Sequence, residues 1–289
     1  MTRIIDSLSQ IGGGYDALLC DLWGCLHNGK RPYPAAVAAL QAFRAGGGRV
    51  CLLTNSPRPF GAVQAQLDGM GVPRDAWDVI VSSGDATQAA MMAGQVGQKV
   101  WYIGAAKDDV FFNDLPAGFA DAPPVARVPL DQAQGIICTG PFDEATETPQ
   151  DYRDRFADAI ARGLPMLCAN PDIVVDMGET RIYCAGALAE LYQDMGGQAF
   201  YFGKPHSPVY DMARTRLGLS ADAKVLAVGD GILTDVLGAA QQGIDALFVT
   251  GGLAAEAMGP DVENPDAALL AEWLAQQGQV PRYAIGRLR

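Results

Sequence analysis

A short apolar run that ends at an acidic residue constrains the fold of this chain most strongly. Residues 17–20 are apolar at every position, which is typical of a strand that is buried on both faces. Asp21 follows directly, so its carboxylate is expected at the C-terminal end of that strand, the edge at which open α/β sheets bind ligands. Gly24 and the pair Asn28-Gly29 then predict that the chain turns back there and does not enter a long helix.

Buried strands and helices alternate along the rest of the chain. Strands are predicted at 49–53, 78–81, 99–104, 135–140, 165–169, 224–229 and 245–250. Helices are predicted at 34–45, 152–162, 187–195, 207–217, 235–242 and 267–275, and the apolar residues of 4–11 also have helical spacing. This alternation predicts an α/β protein with a Rossmann-like core built on a parallel sheet.

The 289 residues are enough for one large domain or two ordinary ones. We expect residues 1–85 and 183–289 to form the core domain and residues 86–182 to form a second α/β domain inserted into it. No long linker or low-complexity tract marks the joints, so these boundaries are soft by several residues.

Composition and charge exclude several classes of partner. The net charge of -12 argues against binding to nucleic acid or to anionic membranes, while it suits a divalent cation. No run approaches the 18 apolar residues that a membrane span needs, and the N-terminus lacks the shape of a signal peptide. The six cysteines are scattered without a CxxC pair, which indicates a reducing compartment and hence a cytoplasmic location.

Four polar elements follow predicted strands in a fixed order. They are Asp21, Thr54, Lys204 in a Gly-Lys-Pro tripeptide, and the segment from Asp230 to Asp235. Each is weak evidence by itself, because a Thr-Asn pair is common in turns, Gly-Lys-Pro is usually a surface turn, and an acidic pair often caps a helix. Their order at successive strand ends is improbable by chance, and it allows all four to converge on one crevice.

This order resembles motifs I to IV of the haloacid-dehalogenase-like superfamily. The insertion between motifs II and III is similar to the superfamily's class II caps, and residues 170–172 and 184–188 resemble class IIA, the nitrophenyl-phosphatase-like branch. The sequence DLWG at 21–24 resembles a subgroup of that branch. The resemblance implies a Rossmann-like core with an α/β cap domain, a Mg²⁺ cofactor and a phosphate-ester substrate.

The resemblance also implies a metal site. Asp21 is the family's nucleophile, and Asp21 and Asp230 supply carboxylate oxygens of the kind that Mg²⁺ prefers. The backbone carbonyl of Trp23 is the third protein ligand that the family pattern implies. Asp235 is expected to orient a metal-bound water, although a role as the cap of its own helix is the alternative.

A second group of residues is expected to hold the substrate. Thr54 and Lys204 match the residues that bind and neutralise the phosphoryl group in the family. Asn55, Asn170 and Asp172 are further candidates for substrate binding, and the sequence does not say which ester they select.

Proton transfer is the step for which the sequence lacks an obvious residue. The family's acid/base aspartate is replaced by Trp23, whose indole donates a hydrogen bond but accepts none. His27 in the same loop is the nearest substitute, and an exposed turn histidine is the alternative. Trp23 either forms one wall of the site or only fills space under the loop.

Three functions compete at this point. The first is a Mg²⁺-dependent phosphatase that acts on small cytosolic phosphate esters through an aspartyl-phosphate and turns over slowly. The second is a weak or inactive protein of the same fold that binds or senses a small phosphorylated metabolite. A nucleotide-binding Rossmann protein is set aside because no GxGxxG follows the first strand. Caps of this branch often carry subunit contacts, so homo-oligomerisation is left open.

Overall fold

Two units make up the computed structural model, which describes residues 2–116, 123–177 and 180–289. The first unit comprises Met1–Thr54, Gln64–Val81 and Tyr210–Arg289, and the second comprises Asn55–Val63 and Ser82–Val209. The second unit therefore interrupts the first in sequence. Residues 183–209 group with the second unit, whereas the predicted boundaries assigned them to the core domain.

The strands, in chain order, are β1 (Arg3–Ile4), β2 (Ala17–Cys20), β3 (Arg49–Thr54), β4 (Val79–Ser82), β5 (Lys99–Ile103), β6 (Ala126–Arg127), β7 (Gly135–Cys138), β8 (Pro165–Cys168), β9 (Val174–Met177), β10 (Thr180–Tyr183), β11 (Gln198–Tyr201), β12 (Val225–Gly229), β13 (Asp245–Val249) and β14 (Tyr283–Ile285). The helices are α1 (Pro34–Ala45), α2 (Phe60–Gly69), α3 (Ser83–Met92), α4 (Val110–Asn113), α5 (Arg153–Ala161), α6 (Ala185–Asp194), α7 (Ser207–Leu217), α8 (Leu237–Gln242) and α9 (Ala267–Gln277).

The first unit is built on a seven-stranded sheet in the order β1-β14-β13-β12-β2-β3-β4. The pairings of β12 with β2 and of β2 with β3 are parallel, and the three strands are buried almost throughout. Strands buried on both faces must be apolar at every position, which is why residues 17–20 lack the alternation of a half-exposed strand. The polar residues that follow β2, β3 and β12 therefore leave the sheet at one edge.

The second unit has its own parallel sheet, in the order β11-β8-β7-β5-β6, and a separate antiparallel hairpin of β9 and β10. When only the five strands of this sheet are numbered in chain order, the order is 5-4-3-1-2, which is the doubly wound arrangement of flavodoxin-like folds. Its core is aromatic, with Phe156 packed edge-on against Trp101 and Tyr192. Helix α3 begins with a capping box in which Ser82 and Asp85 exchange side-chain to backbone hydrogen bonds.

Most predicted elements agree with the structure, and the prediction of an α/β fold with a Rossmann-like core is confirmed. One prediction was wrong in detail. The pattern at 4–11 is a short strand and a 3₁₀ turn at Leu8–Gln10, not a helix. Among the strands that were not predicted, β11 pairs with β8 in the second sheet, and β14 in the C-terminal tail pairs with β13 in the first. Within the described part of the chain, none of the helices combines the length and apolarity that a bilayer crossing needs.

Candidate active site

Three predicted site residues lie at the same edge of the seven-stranded sheet. Asp21 follows β2, Thr54 is the last residue of β3, and Asp230 follows β12. These strands are direct neighbours, and the backbone N–H of Asp21 extends the pairing by donating to Val228 O over 2.8 Å. All three side chains are buried.

The carboxylates of Asp21 and Asp230 meet at this edge together with a thiol. One carboxylate oxygen of each of these two residues and Sγ of Cys25 all lie within 4.8 Å of one another. Two buried carboxylates at this separation repel each other unless a cation or protons neutralise them, and their oxygens are donors that Mg²⁺ prefers. The residues present therefore fit a divalent cation.

Asp230 is held in a tight pocket of backbone. Its Oδ2 accepts a hydrogen bond of 3.0 Å from the N–H of Leu253. A Cβ added to Gly24 or to Gly252 would overlap with Oδ2 of this carboxylate. Gly24 also has a φ of 73°, a conformation that side chains other than glycine rarely adopt. Gly24 is therefore needed for two reasons. Its backbone adopts a positive φ, and its missing side chain leaves space for the Asp230 carboxylate.

Asp235 supports the loop that carries Asp230. Its Oδ2 accepts hydrogen bonds from the N–H of Gly231 over 3.2 Å and from Thr234 Oγ1 over 3.3 Å. The segment Ile232–Val236 is a wide π-type turn, a local irregularity that is frequent at functional sites. The close group of donor atoms contains Asp21, Cys25 and Asp230 but not Asp235. This geometry suits the predicted role of Asp235, which is to orient a metal-bound water, better than direct ligation of the metal.

Trp23 and His27 pack against each other in the loop after β2. The ring centroids are 5.5 Å apart in an edge-to-face arrangement, and the indole lies against Gly29, where a Cβ would overlap with it. Trp23 is 37% exposed. His27 is 1% exposed, so the alternative of an exposed turn histidine was wrong. Burial lowers the pKa of His27 to about 4, and its Nδ1 accepts the Gly29 N–H.

The remaining predicted residues belong to the second unit, where they form one hydrogen-bonded chain. Asn55 Oδ1 accepts from the backbone N–H of Lys204 over 2.7 Å, and its Nδ2 donates to Lys204 O over 3.1 Å. The same Nδ2 donates to Asp172 Oδ1 over 2.8 Å, and the N–H of Asp172 donates to Asn170 Oδ1 over 3.1 Å. Asn170 and Lys204 follow the neighbouring strands β8 and β11, which explains their proximity.

Cys25 is the residue at this edge that the sequence analysis missed. Burial, followed by the charges of Asp230 and Asp21, raises the pKa of its thiol well above the ordinary value. The sequence contains one indication of its role, which is its position four residues after Asp21. The structure places it inside a loop that is closed by the hydrogen bond from Gly24 N–H to His27 O. Gly252 and Leu253 complete the Asp230 pocket and follow β13. No sequence motif indicated that they belong to the site.

Comparison with known proteins shows which family the chain resembles. A model of the haloacid dehalogenase-like hydrolases matches residues 18–115, and a second HAD-hydrolase-like model matches residues 201–275. A solved haloacid dehalogenase-like hydrolase from Brucella suis 1330 is 37% identical, with a TM-score of 0.82 over 99% of this chain and 100% of that one.

Two further proteins are more distant. The ribonucleotide monophosphatase NagD of Escherichia coli K12 is 27% identical over 82% of this chain and 88% of its own length. A p-nitrophenyl phosphatase from Archaeoglobus fulgidus shares the fold with a TM-score of 0.71 at 20% identity, over 94% of this chain and 96% of that one. The predicted resemblance to the haloacid-dehalogenase-like superfamily is thereby confirmed, and the chain belongs to the haloacid dehalogenase-like hydrolases.

Proposed function

We propose that this protein is a Mg²⁺-dependent phosphatase that hydrolyses small cytosolic phosphate esters through an aspartyl-phosphate on Asp21. The observation that carries the proposal is the approach of the Asp21 and Asp230 carboxylates at the ends of the adjacent strands β2 and β12. The phosphatase activity that the names of two similar proteins record gives it independent support.

Asp21 is the nucleophile in this proposal. One of its carboxylate oxygens forms a bond to phosphorus while the ester P–O bond breaks, and the leaving oxygen takes up a proton. Water then attacks the aspartyl-phosphate, loses a proton and releases inorganic phosphate. The bound Mg²⁺ supplies positive charge that neutralises the phosphoryl oxygens and Asp21.

Other residues act on the phosphoryl group and on the metal ligands. Thr54 donates its hydroxyl to a phosphoryl oxygen, and the motif order assigns Lys204 to charge neutralisation. Asn55 fixes the backbone of Lys204 through two hydrogen bonds, so it acts as a positioning residue. Asp235 holds the turn after Asp230, and the carbonyl of Trp23 completes the protein's metal ligands.

We infer that turnover is slow because proton transfer lacks a strong acid/base at position 23. A positioned acid/base contributes roughly 10²–10⁴-fold to rate. The indole of Trp23 accepts no proton. His27 has a pKa of about 4 and an engaged Nδ1, which favours a structural role over the predicted catalytic one.

A second candidate is a protein that binds a phosphorylated metabolite without turning it over. The tryptophan at position 23 favours it, since the metal and phosphate residues remain while the acid/base is absent. We propose that residues 86–182 act as the cap in either case, with Asn170 and Asp172 contributing to the choice of substrate.

One panel of assays separates the two candidates. Purified protein is incubated with p-nitrophenyl phosphate, ribonucleoside monophosphates and small alkyl phosphates, each with Mg²⁺ and with EDTA, and phosphate release is measured. Mg²⁺-dependent release that Asp21→Asn abolishes supports the phosphatase. Stabilisation of the protein by a phosphate ester without any release supports the binding protein.

A further inference from the structure

The thiol of Cys25 takes no part in the proposed mechanism, yet it lies close to the carboxylates of Asp21 and Asp230. Its Sγ is within 4.8 Å of one carboxylate oxygen of Asp21 and of one carboxylate oxygen of Asp230. The side chain is 1% exposed and belongs to the tight loop after β2. Across residues 2–116, 123–177 and 180–289, this is the one cluster of three or more His, Cys, Asp or Glu side chains with such spacing.

The donor set is richer than a magnesium site requires. Mg²⁺ selects oxygen ligands and gains nothing from a sulfur, whereas Zn²⁺ binds thiolate and carboxylate together. In tetrahedral Zn²⁺ sites the metal lies about 2.3 Å from sulfur and about 2.0–2.2 Å from oxygen, so the donor atoms are roughly 3.5 Å apart. Contracting the observed group to that size needs small side-chain movements.

We propose that this site also binds Zn²⁺, with Cys25 Sγ, Asp21 and Asp230 as its protein ligands, in competition with Mg²⁺. The proposal rests on the metal site of the proposed function and extends it to a thiophilic cation. Zn²⁺ replaces the proton of the Cys25 thiol, and that proton leaves to solvent. Zn²⁺ at this site displaces Mg²⁺, because the two cations share the carboxylates of Asp21 and Asp230.

Cys51 provides a matched control for this cysteine. It is equally buried in the first unit, within β3, and its Sγ lies 3.5 Å from the backbone oxygen of Leu52. It is outside the group of donor atoms formed by Cys25, Asp21 and Asp230.

The first experiment uses Co²⁺ as a coloured substitute for Zn²⁺. The full-length protein, its Cys25→Ala variant and its Cys51→Ala variant are titrated with Co²⁺, and the near-ultraviolet thiolate-to-cobalt absorption band is recorded. We expect the band in the wild-type protein and in Cys51→Ala, and its loss in Cys25→Ala. Equal bands in all three proteins would overturn the proposal, as would no band in the wild type.

Zn²⁺ affinity is then measured by competition with a chromophoric chelator. Loss of an outer partner of a metal ligand commonly costs about 10–100-fold in affinity, so loss of a direct ligand should cost at least about 100-fold in Cys25→Ala. Mg²⁺-induced stabilisation of Cys25→Ala should persist, because both carboxylates remain. That result shows a folded variant with an intact oxygen site, and an unchanged Zn²⁺ affinity beside it contradicts ligation by Cys25.

A wild-type crystal soaked in Zn²⁺ tests the proposal without any variant. We expect an anomalous peak with a Zn–Sγ distance near 2.3 Å to Cys25. A peak between the carboxylates but more than about 3 Å from Sγ rejects Cys25 as a ligand and leaves the Mg²⁺ site standing. If neither Mg²⁺ nor Zn²⁺ binds the wild type, the metal site of the proposed function fails as well.

Discussion

The backbone N–H of Gly29 donates a hydrogen bond of 3.0 Å to Nδ1 of His27, whose side chain is 1% exposed. This bond fixes the neutral imidazole in the tautomer that carries its proton on Nε2. The imidazole also packs edge-to-face on Trp23, so His27 closes the loop that follows Asp21. A histidine buried in this way supports the shape of the loop and is a poor proton donor near pH 7.

The pH dependence of stability tests this role. The pKa of His27 is about 4 in the folded protein and about 6.5 in the unfolded chain, so the unfolded chain binds the proton more tightly. The stability that neutral His27 contributes is complete above about pH 6.5 and is lost as the pH falls toward 4. The free energy of unfolding should fall by up to about 3 kcal/mol over that interval.

The matched variant is His27→Asn, whose amide oxygen can accept the Gly29 N–H. Urea unfolding of both proteins between pH 4 and pH 7.5 gives the two profiles. The difference between them isolates His27 from the carboxylates that titrate in the same range. Parallel profiles would show that His27 is not buried as a neutral group.

The sequence predicts mainly those features of the structure that depend on residues close together in the chain. Strand β2 and helix α1 were predicted with the right bounds because their signals are local, an apolar run and a proline at the first helical position. The rule that ligands gather at strand ends predicted that Asp21 and Asp230 lie close together, and the structure brings their carboxylates together although 209 positions separate them in the sequence.

Residues whose role depends on distant neighbours could not be predicted. Gly252 and Leu253 shape the Asp230 pocket only because β13 lies beside β12. The burial of His27 depends on a loop conformation that glycine positions suggest but do not determine. The pairing of β11 with β8 could not be predicted either, because an apolar run carries no information about its partner strand.

Gly24→Ala tests the backbone pocket of Asp230. The new Cβ would overlap with the Asp230 carboxylate, so the carboxylate must move and the Mg²⁺-induced rise in Tm should disappear. Gly47→Ala is the matched control, because Gly47 has a similar positive φ of 91° but no atom within 4 Å of the added Cβ. Both variants lose about 1 kcal/mol to backbone strain, and the control should keep the response to Mg²⁺. An equal Mg²⁺-induced rise in Tm in the two variants would contradict the proposal that Gly24 leaves space for the Asp230 carboxylate.

Asp21→Asn tests the nucleophile. The change is nearly isosteric, so the Tm without metal should stay within a few degrees of wild type. Hydrolysis of p-nitrophenyl phosphate should fall by more than about 10³-fold, because an amide cannot attack phosphorus. Asp235→Asn is the comparison and should cost only about 10–100-fold, as expected for a partner that orients the metal site. Similar losses in both variants would show that Asp21 has no special covalent role.

Asn55→Ala tests the positioning of Lys204. The change removes both hydrogen bonds to the Lys204 backbone, and misplacement by about 1 Å can cost roughly 10²-fold in rate. We expect kcat/KM for phosphate esters to fall by about that factor, with the Mg²⁺ response of the Tm retained. Asn264→Ala, which removes an exposed hydrogen bond to Asp261, should leave the kinetics unchanged. Normal kinetics in Asn55→Ala would show that Asn55 does not position Lys204 for catalysis.

Trp23→Asp tests whether proton transfer limits turnover. The new carboxylate stands where the family has its acid/base, so leaving-group protonation and hydrolysis of the aspartyl-phosphate should both accelerate. The gain is some part of the roughly 10²–10⁴-fold that acid/base catalysis supplies, and it should be largest for alkyl phosphates, whose leaving oxygen most needs a proton.

Trp23→Ala is the control for the lost indole. Trp23 is 37% exposed, so its removal should cost less than the roughly 3–5 kcal/mol of a fully buried tryptophan. Both variants open the same space beside Gly29 and His27, and they differ by one carboxylate. Steady-state rates on an alkyl and an aryl phosphate, measured for the two folded variants and the wild type, give the comparison. A higher rate in Trp23→Asp than in Trp23→Ala identifies the missing acid/base as the limit, whereas equal rates, or brisk alkyl phosphate hydrolysis by the wild type, place proton transfer on another group.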